Sequence, residues 1–386
     1  MLLFYFLLNS CRSASSTLDS TSEQIIASNT NCVWIIIVMF SLINFYFKKF
    51  SLTLTINAIL TTFTSFVFRY LFFSVAFKEG QSATTFADAT LCALSCIISL
   101  GCFNGVVKFF HYIIYGLLFA ATYTLVHWLV IEGDVIKNVI DTGHAIEVHL
   151  FAASFGLGTA IVVREKRIVD TTFEIAVDGR HWIIFATLII AFLWPKYTTI
   201  YLTDVTASKA STAVVMAICG SSIVSLILEH FVHKKVDIYR FANSIYVGCI
   251  GIGCSVLIVG PWGALLVGAI CGLANTFLIT PFSKFIEHKI GAADLLSVSG
   301  VNGISAWIAV FVGLISAYIK KQKGVWILVG GLITLGIGLV CGAVTGVVIL
   351  ITKCGEIPNS EFMDDEAFFD IKDTENENNP KPIDEL

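Results

Sequence analysis

The stretch DTGHAIEVHLFAASFGLG, beginning at Asp141, places one aspartate, two histidines and a glutamate within nine residues and then returns to small and apolar ones. On a regular helix each residue turns about 100°, so His149 does not share a face with Glu147. Its own stripe is Ala145, Ala152, Ala153, Gly156 and Ala160, all small. A histidine among such neighbours has open space or another backbone beside it. Neutral imidazole donates from one ring nitrogen and accepts at the other, so it could bond a small solute, relay a proton, or simply tie two helices together by one hydrogen bond. His144 and Glu147 come earlier and are expected near a mouth of the segment.

A second stretch, DLLSVSGVNGISAW, begins at Asp294. Asp141 precedes Val148 and His149 by seven and eight residues, and Asp294 precedes Val301 and Asn302 by the same distances. Around Asn302 lie Ser299, Gly303, Ala306 and Gly313, again mostly small. Intramembrane ionisable groups usually serve a path, and two such sites at matched positions suggest one shared midplane site between halves of opposite topology.

The elements that would carry these residues are membrane helices. Of 386 residues, 56% are hydrophobic and 13% charged, and the mean hydropathy is +0.83; soluble domains carry roughly 25% charge. Hydropathy predicts about eleven spans: 33–47, 52–77, 84–107, 109–131, 141–163, 181–202, 209–231, 241–259, 262–282, 294–319 and 325–352. The fold class is therefore an all-α polytopic membrane protein, with two inverted five-helix halves and a long final helix.

Residues 1–16 read as a signal peptide or a short extra N-terminal segment, 17–32 as an extracellular segment, 33–353 as the membrane domain, and 354–386 as an acidic, largely disordered cytoplasmic tail. Lys48–Lys49, Arg164–Lys166–Arg167, Lys234–Lys235–Arg240 and Lys284–Lys289 fall on one side, which is then cytoplasmic; Lys320, Lys321 and Lys323 are the exception. Gly338, Gly342 and Gly346, and Gly268 with Gly272, recur every four residues and mark close helix packing. The eleven cysteines lie mostly inside apolar runs without a CxxC, so neither a disulfide frame nor a metal site is expected. Nothing in the composition supports nucleic-acid binding. No nucleophile motif supports an enzyme, and the HxxH of His230 and His233 reads as cations at a helix end. His111 and His127 read as isolated packing or interface groups, and Arg69 as pairing with Asp88 or snorkelling.

These residues resemble the Rhesus (Rh) branch of the ammonium-transporter superfamily. The segment from Asp141 through Leu157 is similar to the family's fifth-helix motif, and Asp294 through Ile304 to its tenth-helix motif. FLWPKY at 192–197, RFANSIYVG at 240–248, PWGALLVGAICG at 261–272 and DEAFFD at 365–370 follow in order. The resemblance implies the ammonium-transporter fold, a homotrimer in the cell membrane, no cofactor, and a narrow apolar pore in each subunit that conducts ammonia or ammonium. It also implies roles for single residues. Of the family's twin pore histidines, the first falls on His149 and the second on Asn302. The carboxylate ahead of the first falls on Asp141, with Asp294 and Ser299 as the supports on the other side. The two stacked phenylalanines of the outer gate fall on Leu91 and Tyr197. Asn302 cannot carry a proton at neutral pH, so a relay along two imidazoles is not open to this chain. Carbon dioxide or methylammonium are further solutes to consider. The competing reading is a non-conducting scaffold whose tail binds cytoplasmic partners.

Overall fold

Among the described residues eleven helices carry the chain, and the shortest, Ile238–Gly251, falls short of a full crossing. The computed structural model describes residues 20–76, 82–132, 135–165, 167, 174–352 and 362–369. The helices are α1 (Ser20–Leu42), α2 (Ser51–Ala76), α3 (Ala83–Leu100), α4 (Phe109–Ile131), α5 (Ala145–Val163), α6 (Gly179–Thr198), α7 (Asp204–His233), α8 (Ile238–Gly251), α9 (Pro261–Ile290), α10 (Ser299–Ile319) and α11 (Val325–Thr352). Ten of these are long and apolar enough to cross a membrane. The chain is a multi-pass membrane protein, and among the described residues the only strand-like feature is one isolated bridge between Phe47 and Ile175.

The predicted spans correspond to these helices one for one, with departures at several ends, including α9, which continues to Ile290. Helix α1 starts at Ser20, well before the expected 33, and so runs through most of the segment read as extracellular. The segment 1–16 lies outside the described residues. The spans expected over 84–107 and 241–259 are helical only as far as Leu100 and Gly251. Beyond those points the chain continues as tight turns, with Phe103 N–H donating to Leu100 O at 3.0 Å and Ser255 N–H to Ile252 O at 2.9 Å. Hydropathy cannot see this change, because the turn residues stay apolar. Non-helical backbone at membrane depth is tolerated where protein surrounds it, and residues 101–107 and 252–256 are buried.

The glycine ladders pack helices backbone to backbone. A Cβ on Gly342 of α11 would lie 2.2 Å from the Phe155 carbonyl oxygen of α5, and one on Gly268 of α9 would lie 2.1 Å from the Ala217 carbonyl oxygen of α7. Large apolar side chains point outward instead, among them Phe192, Phe231 and Leu266, and these form the surface that lipid covers.

Of the basic residues assigned to one side, Lys48, Lys49 and Arg167 gather at one end, joined through the tail residues 362–365. Lys48 and Lys49 pair with Glu174 at 3.4 and 3.6 Å, and Arg164 donates to Ile290 O at 3.3 Å. The two lysines, Lys48 by its hydrogen bond first, hold the exposed Glu174 carboxyl below the usual carboxylate range. Part of the tail docks here too, against the expectation of disorder. Asp365 accepts from Leu52 N–H and Thr53 N–H at 2.9 and 2.8 Å, and so caps α2. Phe368 sits edge-on to Phe109 at 5.6 Å, and Arg167 lies 4.0 Å over the Phe362 ring. The DEAFFD motif is thus apolar contact plus a helix cap. Residues 370–386 lie outside the described region.

Candidate functional site

Two turns of the same construction meet at the centre of the molecule. In the first, Asp141 Oδ2 accepts from Ile146 N–H and Glu147 N–H, both at 2.9 Å. His144 takes a left-handed conformation at φ 57°, and Ala145–Leu150 winds as a π-turn that carries His149. In the second, Asp294 accepts from Ser299 N–H at 3.3 Å and from the Ser299 hydroxyl. Ser297 is left-handed at φ 52°, and Ser299–Ile304 winds as a π-turn that carries Asn302.

The smaller bonds match as well. His144 N–H donates to Asp141 O at 2.9 Å, and Ser297 N–H to Asp294 O at 2.8 Å. Each turn is also tied to a broken helix of the opposite half. Gly143 N–H donates to Gly253 O beyond α8, and Leu296 N–H donates to Gly101 O beyond α3, both at 3.0 Å. A Cβ on Gly143 would lie 2.5 Å from Gly253 Cα, so glycine is what lets these two backbones touch. The repeat read from the Asp-to-His and Asp-to-Asn spacing is therefore a backbone repeat.

The turns bring His149 and Asn302 together. His149 Nδ1 and Asn302 Oδ1 are 2.9 Å apart, and the Tyr197 hydroxyl is 3.2 Å from His149 Nε2. With the Asn302 amide oxygen facing the ring, Nδ1 carries the hydrogen and Nε2 accepts from Tyr197. The His149 ring is fully buried, and Trp194 stacks on it at 5.4 Å with 19° between planes. Asn302 also lines a cavity of about 60 Å³ on the side toward the basic end, with Asn44, Asn104 and Asn243 among otherwise mostly apolar walls. A site that size and that polar has room for a few waters.

On the other side of His149 several residues are ionisable. Tyr197 lies 5.3 Å from the His144 ring. Glu147, almost fully buried, receives the Tyr123 hydroxyl at 2.6 Å and lies 2.5 Å from His127 Nδ1 and 3.3 Å from His144 Nδ1. His127 sits on its own π-turn, His127–Ile131, and is not the isolated packing group expected from sequence. Arg69 is fully buried rather than snorkelling, its guanidinium 5.9 Å from the Tyr123 ring centre, and Asp88 accepts from the Tyr201 hydroxyl.

Of the expected outer-gate pair, Tyr197 takes a place over His149, while Leu91 is buried within α3. The rings that meet Tyr197 are those of His144, His149 and Trp194. Sequence reasoning missed Trp194, although it stands three residues before Tyr197 on one helix face and inside a motif already singled out. It also missed the bond from Glu147 to His127, which no local pattern signals. Among the described residues no group of three or more potential metal ligands converges.

Residues 2–355 match the family model described as Ammonium Transporter Family. The chain belongs to that family. It is 24% identical over 311 residues to the ammonium transporter Rh type C of Oryctolagus cuniculus, an alignment covering 74% of this chain and 66% of that relative. In structure it matches the Rh50 protein of Nitrosomonas europaea with a TM-score of 0.85 at 21% identity, over 93% of this chain and 96% of that one. A sensor Amt protein matches with a TM-score of 0.75 at 17% identity, over 88% and 95%. The architecture of this family member is thus the Amt/Rh channel fold, a transporter class and not an enzyme class, and the resemblance to the Rh branch is borne out.

Proposed function

We propose that this ammonium-transporter family member facilitates passage of ammonia across the cell membrane, taking ammonium from the outer side and delivering ammonia to the inner cavity. The observation that carries this reading is the His149–Asn302 bond of 2.9 Å, set between the Tyr197 hydroxyl above and a buried cavity below. Both ring nitrogens of His149 are occupied, so ammonia must replace a partner to pass. The Tyr197 hydroxyl holds by the longer contact, 3.2 Å against 2.9 Å, so it is the group that yields. Ammonia then donates to Nε2 in its place, moves past the Asn302 amide, and enters the cavity among Asn44, Asn104 and Asn243. Asn302 offers hydrogen bonds without an ionisable nitrogen, so the solute crosses this point neutral. Carbon dioxide, also small and neutral, fits the same path; methylammonium is larger and tests its width.

The assembly that suits this reading is a homotrimer with one pore per subunit. Its basic end, and with it the tail from residue 354, faces the cytoplasm, and the tail is where cytoplasmic partners would bind.

The test is flux in liposomes. Vesicles carrying the purified protein and a pH-sensitive dye should alkalinise faster than protein-free vesicles after mixing with an ammonium salt, and His149→Ala should change that rate. Equal rates with and without protein refute transport. The full burial of His149 with both nitrogens bonded favours one other reading, a non-conducting scaffold. That reading gains only if flux is absent while a cytoplasmic partner is retained by the tail.

A further inference from the structure

Four ionisable side chains between the top of the pore and the molecular surface take no part in the path just described. His144 Nδ1 lies 3.3 Å from Glu147 Oε2, Glu147 Oε1 lies 2.5 Å from His127 Nδ1, and His127 Nε2 lies 3.5 Å from Glu132 Oε1. The series begins at the ring against Tyr197 and ends at a glutamate that is 30% exposed. Each link joins two groups that can both gain and lose a proton.

The inner end of the series has an unpartnered nitrogen. His144 is 95% buried, and its Nε2, on the side of the ring away from Glu147, has no hydrogen-bond partner. A buried imidazole nitrogen without a partner is costly unless something else uses it. The rings of Tyr197 and Tyr201 flank it at 5.3 and 6.0 Å, and aromatic faces suit a small cation.

We propose that His144, Glu147, His127 and Glu132 form a proton outlet that runs sideways from the pore entrance to the outer face and takes the proton that ammonium sheds before ammonia enters. This rests on the reading of the protein as an ammonia facilitator. An ammonium ion beside His144 breaks one N–H bond, keeps the electron pair as ammonia, and gives the proton to His144 Nε2. His144 passes its Nδ1 proton to Glu147 Oε2. The proton shared by Glu147 and His127 moves onto His127, and His127 gives its Nε2 proton to Glu132 and so to water. Rotation of the two rings and of the Glu147 carboxyl resets the series. No oxidant or second reactant is needed.

The surrounding charges shape this outlet without interrupting it. From α2, Arg69 lies over Tyr123 and offsets the buried carboxylates. From α3, Asp88 is held by the Tyr201 hydroxyl and Cys92 is a buried thiol. Asp141, on the same turn as Glu147, is occupied by backbone N–H groups. Tyr123, from α4, donates to Glu147 and leaves its other oxygen to His144.

Two measurements decide the matter. In liposome flux, Glu147→Gln and Glu132→Gln should slow alkalinisation roughly tenfold at about pH 6, where free ammonia is scarce, with the loss shrinking as external pH rises. His144→Phe, which keeps the ring but not its nitrogens, should show the same pH pattern. Glu132 is at the surface, so its variant folds even if the buried ones do not. If the variants lose the same factor at every pH, or none, the outlet is overturned while transport stands.

If the wild type shows no flux, transport is overturned, and a second readout still judges the outlet. After a rapid pH drop, the infrared carboxyl band that Glu147→Gln removes should rise in the purified protein, and Glu132→Gln should slow that rise roughly tenfold. No such band, or an unchanged rate, overturns the proposal.

Discussion

The turn at residues 141–150 and the turn at residues 294–304 share a capping aspartate, a left-handed third residue, a π-turn and a bond to the opposite half, yet they carry different side chains. At matching places the first has His144, Glu147 and His149, and the second has Ser297, Gly300 and Asn302. The two turns thus share a backbone and differ in the side chains they carry. The first places ionisable groups beside His149. The other, facing the cavity, presents only neutral hydrogen-bonding groups around Asn302.

If the aspartates are caps in both turns, Asp141→Ala and Asp294→Ala should be similarly severe. Each removes charged acceptors from two buried donors, a loss of roughly 3 kcal/mol. Thermal unfolding of the detergent-solubilised protein should show both variants far below wild type; a mild effect for only one would break the equivalence.

A smaller effect is expected where the turns differ in bulk. A Cβ on Gly300 would lie 2.9 Å from Ile279 Cγ2 and 3.0 Å from Ser283 Oγ. Gly300→Ala should cost about 1–3 kcal/mol by overpacking, and the same melting experiment reads it. Glu147 stands at the matching place without such a restriction, so Glu147→Ala should act through lost hydrogen bonds and change flux as well as stability.

The left-handed positions sharpen the contrast further. Ser297→Gly relieves a conformation disfavoured by about 1 kcal/mol and should raise the melting midpoint slightly. His144→Gly gains the same relief but loses the Glu147 contact, so its midpoint should not rise. Last, Glu174→Gln at the exposed basic end should have the smallest effect on stability, because solvent screens the pair. The Glu174 carboxyl is held low by Lys48 and Lys49. Its contribution is therefore present above the ordinary carboxylate range and fades as pH falls through its lowered value. An acid titration of stability in wild type and Glu174→Gln checks this sign.

Much of this was legible in the sequence, and the failures are specific. Eleven apolar helices, ten of them long enough to cross, the paired Asp spacing, and the meeting of His149 with Asn302 all follow from hydropathy and from one repeated interval. The angular estimate for Glu147 assumed a regular helix, whereas the segment is a π-turn; its conclusion survived because Glu147 faces His127 and Tyr123, while His149 faces Asn302. The ends of α3 and α8 were invisible, since apolar turns and apolar helices have the same hydropathy. His127 was misread because its partner is twenty residues away and joined by a tertiary contact alone. The docking of Asp365 was hidden by an acidic tail composition that, taken as an average, argues for disorder.

The exchange of backbone bonds between Gly143 and Gly253, and between Leu296 and Gly101, has a consequence for how such a chain could arise. Each five-helix unit lends one backbone carbonyl to the turn of the other. A primordial gene for one unit would have yielded a working channel only by inserting its product in both orientations, so that two copies could lend each other those carbonyls. Severing the present chain between α5 and α6 recreates that situation, and the two fragments should regain a folded channel only when made together.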